Sequence, residues 1–132
     1  MDQRKEGTIR KALLLGDETE KILAACFEVI NELGSGFLES VYQNALMIAL
    51  REKGLHAEAS YPITVSFHEQ VIGNYIADIL VEGKIILELK SVSALTAIHQ
   101  AQLINYLKAT GIQVGLLINF GNPKLEIKRL HN

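Results

Sequence analysis

The sequence predicts an α/β fold in which a mixed β-sheet is flanked by helices, in the order α-α-β-β-β-α-β-β. Three segments repeat apolar residues every three or four positions, which is typical of amphipathic helices. Five segments either alternate apolar and polar residues or are apolar throughout, which indicates strands. The chain has 132 residues, of which 48% are hydrophobic and 21% charged. This is enough for one domain with its own core.

The first two predicted elements are helices. Asp17 and Glu20 have the spacing of a capping box, and the apolar periodicity that follows them stops at a glycine. The second predicted helix covers 37–53 and also ends at a glycine. Residues 1–16 are the least patterned part of the chain. We therefore expect an N-terminal tail or extra element at 1–16 and a single domain at 17–132. The inward positions predicted for the first helix are Ile22, Cys26, Val29, Ile30 and Leu33.

The rest of the chain alternates between strand and helix patterns. The strand before the third helix and the strand after it form a βαβ unit, which predicts a parallel pair. The second of these strands is almost wholly apolar, as expected of a strand buried on both faces. The predicted elements are strands at 58–68, 71–81 and 84–89, a helix at 96–110 with Ile98, Leu103 and Leu107 inward, and strands at 112–119 and about 125–129.

The charge and the cysteine content narrow the class of protein. The net charge of −2 argues against a protein that coats nucleic acid through phosphate contacts alone, because such proteins are usually basic. A single cysteine, Cys26, cannot form an internal disulfide. No apolar run approaches the length of a membrane span, and the run at 12–15 is too short for a signal-peptide core. We therefore expect a cytoplasmic protein without a membrane segment.

The stretch ADILVEGKIILELKS, residues 77–91, places Asp78, Glu88 and Lys90 among the aliphatic residues of two predicted strands. Two carboxylates that converge on an apolar sheet lose hydration and repel each other, and a hard divalent cation relieves both effects. A lysine beside that cation could orient a water or stabilise developing charge. The alternative is a surface salt bridge, which is common for an acid and a lysine two residues apart on a strand.

The turn between these strands decides whether the two acids meet. A two-residue turn at Glu82 and Gly83 would send Asp78 and Glu88 to opposite faces. A three-residue loop at 81–83, ending in a left-handed glycine, would make them diagonal neighbours on one face, about 7–8 Å apart at the backbone. Because glutamate is a poor first residue for a two-residue type I′ turn, we predict the three-residue loop.

Four motifs give the chain a resemblance to known proteins. The D…ELK pattern across a hairpin resembles the PD-(D/E)xK nuclease superfamily. The segments GFLESVY, ELKSVSALTAIHQAQLINYLKATG and VGLLINFG resemble the GxxExxY family, a small branch usually grouped with those nucleases. The resemblance covers residues 17–130. It implies a restriction-endonuclease-like core and a Mg²⁺- or Mn²⁺-dependent nuclease that hydrolyses phosphodiester bonds of DNA or RNA.

The resemblance also implies roles for individual residues. Lys90 would be the catalytic lysine, and Gln102 with Tyr106 one turn later resembles a Q-x-x-x-Y helix motif that lines such sites. Glu39, Tyr42 and Gln43 share one face of the second predicted helix. The implied catalytic residues are Asp78, Glu88, Lys90, Glu39 and Gln102; the metal ligands are Asp78, Glu88, the Leu89 carbonyl and Glu39; the substrate-binding residues are Tyr42, Gln43, Tyr106 and His99, the last from its place one turn before Gln102.

Other interpretations of these residues stay open from the sequence. Glu39 could simply favour a helix dipole, and the two tyrosines could be core residues with hydroxyls at the surface. Ile76 stands where superfamily members often carry a basic residue two positions before the aspartate. The alternative function is a non-catalytic module with this fold that binds a protein or nucleic-acid partner. A homodimer or a protein partner would fit either function, because a chain of this length has little room to wrap a duplex.

Overall fold

The computed structural model describes residues 15–132 and contains three helices and five strands in the predicted order. The predicted tail or extra element at 1–16 lies outside the described residues except for its last two. The elements are α1 (Gly16–Leu33), α2 (Glu39–Glu52), β1 (Ala57–Phe67), β2 (Gln70–Val81), β3 (Ile85–Lys90), α3 (Ala97–Thr110), β4 (Val114–Asn119) and β5 (Glu126–His131).

The five strands form one mixed sheet in the order β1-β2-β3-β4-β5. Neighbouring strands are antiparallel except for β3 and β4, which are parallel and joined through α3. The predicted βαβ unit and its parallel pair are therefore confirmed. The two central strands β3 and β4 are buried along almost their full length, which explains why their sequences are nearly continuous apolar runs.

The helices cover the two faces of the sheet. The core on one face contains residues of α1 and α2 together with Ile79, Leu87 and Leu116. The core on the other face contains Leu103 and Leu107 of α3 packed with strand residues such as Leu80, Ile86 and Leu117. Cys26 belongs to the first core, and burial raises the pKa of its thiol to about 12, so it is not a nucleophile at neutral pH.

Helix ends differ from the prediction more than helix interiors do. Helix α1 begins at Gly16 after Leu15, whose φ is 61°, and no side chain caps it. The predicted Asp17 cap is therefore wrong, and Asp17 instead lies in the first turn, where a carboxylate interacts favourably with the helix dipole. Ile98 is 80% exposed near the start of α3, so its predicted inward position is also wrong.

Across residues 15–132, no helix combines the length and apolarity that crossing a membrane requires.

Candidate active site

The turn between β2 and β3 is a three-residue loop, residues 82–84, because Val81 pairs with Ile85 across it. The predicted odd loop length is confirmed, but the loop lies one residue later than predicted. The paired residues end at Ile79 and Leu87, directly before Asp78 and Glu88. The two acids therefore lie beside each other at the end of this ladder.

Glu82 has the left-handed backbone that the sequence led us to expect only at Gly83. Both residues have positive φ, 54° and 64°. Lys84 N–H donates to the Val81 carbonyl at 2.9 Å, and Glu82 N–H donates to the His56 carbonyl at 2.8 Å. A left-handed residue other than glycine costs roughly 1–2 kcal/mol. The hydrogen bond to His56, which is remote in sequence, offsets that cost and fixes the loop.

Each acid is anchored by the backbone of the opposite strand. Asp78 N–H donates to Glu88 Oε1 at 3.0 Å, and Leu89 N–H donates to Asp78 Oδ2 at 2.7 Å. Within residues 15–132, Asp78 Oδ1 and Glu88 Oε2 accept no hydrogen bond. One oxygen of each carboxylate is thus held, and the other is open to a ligand.

Gln43 of α2 holds the backbone of β2 at the same point. The β1–β2 ladder skips the pair between Ser60 and Asp78, and Ser60 has a φ of 55°. The Gln43 Nε2 donates to the Asp78 carbonyl at 2.8 Å and to Ser60 Oγ at 3.3 Å. The Nε2 group of Gln43 is thus used within the protein, where it positions Asp78, and the predicted contact of Gln43 with substrate stays a prediction.

The alternation of faces along β2 is interrupted at Asp78. Ala77 and Leu80 pack in the core under α3, whereas Ile79 and Val81 pack in the core under α1 and α2. Ala77 and Ile79 are two residues apart and would share one face in a regular strand. β2 therefore changes faces between them, at the position where the β1–β2 ladder lacks the pair between Ser60 and Asp78.

Burial dominates the electrostatics of the two acids. Glu88 is only 5% exposed, and burial, with a further contribution from the charge of Asp78, raises its pKa to about 8. Burial also raises the pKa of Asp78, against the hydrogen bond from Leu89 N–H, which lowers it. Without a cation, Glu88 therefore holds a proton at neutral pH. Such a strongly shifted pair is typical of a functional site.

Lys90 and Glu39 approach the acid pair from β3 and α2. The charge of Lys90 lowers the pKa of both acids, and that of Glu39 raises it, so both side chains lie within electrostatic range. Lys90 forms no ion pair within residues 15–132. Glu39 is the first residue of α2 and is exposed.

The direct protein ligands for a cation are fewer than predicted. No three histidine, cysteine or acidic side chains in the described part of the chain are placed to hold a metal ion together. Glu39 is therefore not grouped with Asp78 and Glu88 in this arrangement, and its role as a metal ligand stays a prediction. The Leu89 backbone lies beside Asp78 through its N–H. Its carbonyl as a ligand stays a prediction.

Tyr106 and Gln102 border the acid pair from α3. Gln102 Nε2 donates to Tyr106 Oη at 3.1 Å. Burial raises the pKa of Tyr106, and the charges of Glu88 and Asp78 raise it further. The Tyr106 ring is buried, while Gln102 is exposed. The structure therefore brings Tyr106 close to the acids and Gln102 one hydrogen bond further out.

Tyr42 is a core residue, which corrects its prediction as a substrate-binding residue. It is fully buried, and its ring stacks on Phe120 with centroids 4.4 Å apart. Its hydroxyl donates to the Gly34 carbonyl at 2.7 Å and accepts from Phe37 N–H at 3.1 Å. Both bonds lie within the loop between α1 and α2, so Tyr42 fixes that loop and does not contact a substrate.

His99 has a structural role at the start of α3, and its predicted contact with substrate stays a prediction. Its Nδ1 accepts from Thr96 N–H at 3.1 Å, and its own N–H donates to Thr96 Oγ1 at 3.4 Å. Together these bonds form a capping box at the start of α3. The sequence did not show this, because glutamate or glutamine usually takes that position.

Two further residues tie the strand ends at the site to the rest of the fold. Ser91, directly after β3, donates through Oγ to the Phe37 carbonyl at 2.6 Å. Asn119 at the end of β4 is fully buried, and it bonds Val92 through both N–H and carbonyl. A polar residue ending an apolar strand was a usable signal for Asn119. Ser91 and Ser60 carried no such signal.

Comparisons with known proteins agree with this architecture. A family model described as the PD-(D/E)XK nuclease superfamily matches residues 16–130. The crystal structure of SSO0001 is similar, with a TM-score of 0.56 at 17% identity over 70% of this chain and 49% of that chain. This chain thus spans about half the length of SSO0001, and the likeness shows the fold alone. A search of curated proteins found no significant match. The predicted restriction-endonuclease-like α/β fold is confirmed.

Proposed function

The chain belongs to the PD-(D/E)XK nuclease superfamily, and on that premise we propose that it is a metal-dependent nuclease that hydrolyses phosphodiester bonds in nucleic acid. One observation carries the proposal. Asp78 and Glu88 lie beside each other at the end of the β2–β3 ladder, each with one oxygen bound to a backbone N–H of the other strand and one oxygen without a partner in residues 15–132. A divalent cation held by these two residues would offset the lost hydration of the buried Glu88 and the repulsion between the two carboxylates.

The donor set suits Mg²⁺ or Mn²⁺. Both ions prefer oxygen ligands, and Mg²⁺ keeps several waters, so two carboxylates and a backbone carbonyl are sufficient protein ligands. Asp78 and Glu88 would hold the ion, with the Leu89 carbonyl beside them and Glu39 acting through a water. A bound ion of this class lowers the pKa of its water and polarises a phosphoryl oxygen.

The neighbouring side chains supply the remaining functions. Lys90 lies within electrostatic range of both acids and is not used by an ion pair within residues 15–132. Its ammonium is therefore available to orient the attacking water or to stabilise charge that develops on the phosphate. Gln102 acts through Tyr106, whose hydroxyl it contacts. These roles are proposals for the residues that the sequence identified.

The test is cleavage of DNA and RNA in the presence of Mg²⁺ or Mn²⁺. We expect cleavage that EDTA abolishes, and that Asp78→Asn, Glu88→Gln and Lys90→Ala each reduce by at least about a hundredfold, as for loss of a transition-state contact. Lys84→Ala in the exposed turn and Glu52→Gln at the end of α2 are matched controls that change the same charges. Activity that Asp78→Asn and Lys90→Ala both retain contradicts the assignment.

A second candidate is a non-catalytic module that binds a protein or nucleic-acid partner. Two observations favour it: a third protein carboxylate is not placed with Asp78 and Glu88 in the described residues, and Ile76, 62% exposed, takes the place of a basic side chain. A metal titration separates the two. A rise in melting temperature with millimolar Mg²⁺ that Glu88→Gln abolishes supports the nuclease. No change with metal supports the module.

We also propose that the chain is a member of the GxxExxY branch. The hydroxyl of Tyr42 and the left-handed Gly36, with φ of 93°, shape the loop that precedes Glu39. The three residues of the motif, Gly36, Glu39 and Tyr42, thus lie together in the α1–α2 loop and the start of α2. A cytoplasmic location and a homodimer or protein partner stay predictions from the sequence.

A further inference from the structure

A cavity of about 830 Å³ lies between the β1–β2 hairpin and α3. Its volume falls within the range of small-molecule sites. Two tyrosine rings, Tyr75 and Tyr106, line it together with the side-chain amides of Gln102 and Asn105 and the amine of Lys108. None of the residues that line it is acidic. The cavity therefore offers flat rings, amide donors and acceptors, and one positive charge.

Tyr106 links the cavity to the surroundings of the acid pair. Tyr106 packs in the same core as Ala77 and Ile86, which stand next to Asp78 in β2 and two residues before Glu88 in β3. The charges of both acids act on the Tyr106 hydroxyl. A base that occupies the cavity would therefore contact Tyr106, the residue that also lies within electrostatic range of Asp78 and Glu88.

The Tyr75 side chain is partly accessible at the cavity. It is 48% exposed, and its ring is tilted by 47° from that of Tyr106 with centroids 5.6 Å apart, so the two rings do not stack face to face. A Cβ at Gly73 would lie only 3.3 Å from the Tyr75 ring, so the ring packs closely against the backbone of this glycine. Gly73 and Tyr106 thus hold the ring in place, and its exposed part is available to a planar ligand.

We infer that this cavity holds an unpaired nucleobase of the substrate strand, so that the substrate class is single-stranded or frayed nucleic acid. The inference rests on the proposed function. A base stacks on an aromatic side chain whatever its identity, while Asn105 and Gln102 can bond its edge and Lys108 a neighbouring phosphate. Bases inside a duplex are stacked on each other and cannot offer a face to Tyr75.

Binding in metal-free buffer tests the inference without cleavage. The probes are a ten-nucleotide single strand that contains 2-aminopurine and the blunt duplex of the same sequence. We expect the wild-type protein to bind the single strand at least tenfold more tightly and to change the 2-aminopurine fluorescence by stacking. Tyr75→Ala should weaken single-strand binding by roughly fivefold to a hundredfold, since loss of base stacking has that effect.

Controls separate stacking from a general change in the hairpin. Tyr75→Phe keeps the ring and should bind as the wild type does. Phe67→Ala removes another exposed aromatic ring of the same hairpin that does not line the cavity, and it should also bind normally. Asn105→Ala, an exposed helix position, gives a second variant if Tyr75→Ala does not fold, and it should weaken binding several-fold.

The outcomes distinguish this inference from the proposed function. Equal binding of single strand and duplex, binding of neither, or unchanged binding by Tyr75→Ala and Asn105→Ala overturns the inference. If Mg²⁺-dependent cleavage persists in that case, the nuclease function stands and the inference alone fails. If Tyr75-dependent binding occurs but no metal supports cleavage, the inference stands and the nuclease function fails.

Discussion

At the scale of single residues, Asp78 is held mainly by side chains. Its N–H bonds Glu88, its carbonyl accepts from Gln43, and its carboxylate accepts from Leu89 N–H. The side chains of Gln43 in α2 and Glu88 in β3 thus bond the backbone groups that a neighbouring strand would bond elsewhere in a sheet. This explains how one acid can stand at a gap in the β1–β2 ladder and still have a fixed position.

The raised pKa of Glu88 predicts how stability depends on pH. Between about pH 4.5 and 8 the folded protein keeps a proton that the unfolded chain releases. Without metal, the contribution of Glu88 to the free energy of unfolding is therefore fully present below pH 4.5. It is lost as pH rises through 8, and the loss is about a few kcal/mol at most. Thermal unfolding in EDTA at several pH values measures this.

The control for this prediction is Glu88→Gln, which cannot titrate. As pH rises from 5 to 8.5, the wild type should lose stability relative to Glu88→Gln. Glu52→Gln, at an exposed position, should show no such trend. A difference between wild type and Glu88→Gln that is constant over this range would contradict the assigned protonation of Glu88.

At the scale of elements, periodicity predicted which segments fold as helices and strands, and contacts remote in sequence decided their ends and several roles. The inward positions of α3, Leu103 and Leu107, follow from spacing because burial selects one face. Ile98 lies five residues before Leu103, which places it about 140° away around the helix, and it lines the cavity at the start of α3. Its exposure therefore agrees with its spacing, and the prediction that it points inward was wrong.

At the candidate site too, local sequence predicted some features, and contacts remote in sequence fixed the others. The odd loop and the meeting of Asp78 with Glu88 were predictable, because strand parity depends on the local sequence. The left-handed Glu82 was not predictable, because its bond to His56 joins residues far apart in the chain. The roles of Tyr42 and His99 were likewise fixed by partners that only the folded chain brings to them.

Gly121, just after β4, tests how tightly the segment following β3 is held. A Cβ at this position would overlap the backbone of Val92, which cannot move as a side chain can. We expect Gly121→Ala to destabilise the protein by roughly 3 kcal/mol, at the upper end of overpacking effects. Because Val92 lies two residues after Lys90, activity should fall as well. Denaturant unfolding and the cleavage assay measure the two effects.

Gly111→Ala is the matched control for this glycine. Gly111 has a φ of 75°, and a Cβ there would meet no atom within 4 Å. Backbone strain alone should then lower the free energy of unfolding of Gly111→Ala, by about 1 kcal/mol, and activity should be unchanged. A smaller loss for Gly121→Ala than for Gly111→Ala would show that the segment at Val92 can relax.

At the scale of the whole molecule, the strands of the sheet differ in how much of their surface the rest of the protein covers. β3 and β4 lie in the centre and are covered on both faces. The β1–β2 hairpin continues past β3, because β3 pairs only with residues 79–81 of β2. Its far part exposes several apolar side chains to solvent, Phe67, Val71, Ile72, Tyr75 and Ile76.

Hydrogen exchange should report this difference. Amides of β3 and β4 should exchange slowest, near the rate set by global unfolding. Hydrogen-bonded amides between 64 and 75 should open with a free energy lower by at least about 1.4 kcal/mol, a tenfold difference in rate, since only one strand and few buried contacts hold them. Protection of these amides equal to that of β3 would contradict the expectation.

The hydrogen bond from Ser91 to the Phe37 carbonyl joins the helical part of the chain to the part that forms the sheet. Glu39 and Gln43 belong to the helical part before residue 53, whereas Asp78 and the residues of β3 belong to the part after it. A chain cut in the α2–β1 connection would therefore separate Glu39 and Gln43 from Asp78 and β3, and only a complex of both fragments would contain the whole candidate site.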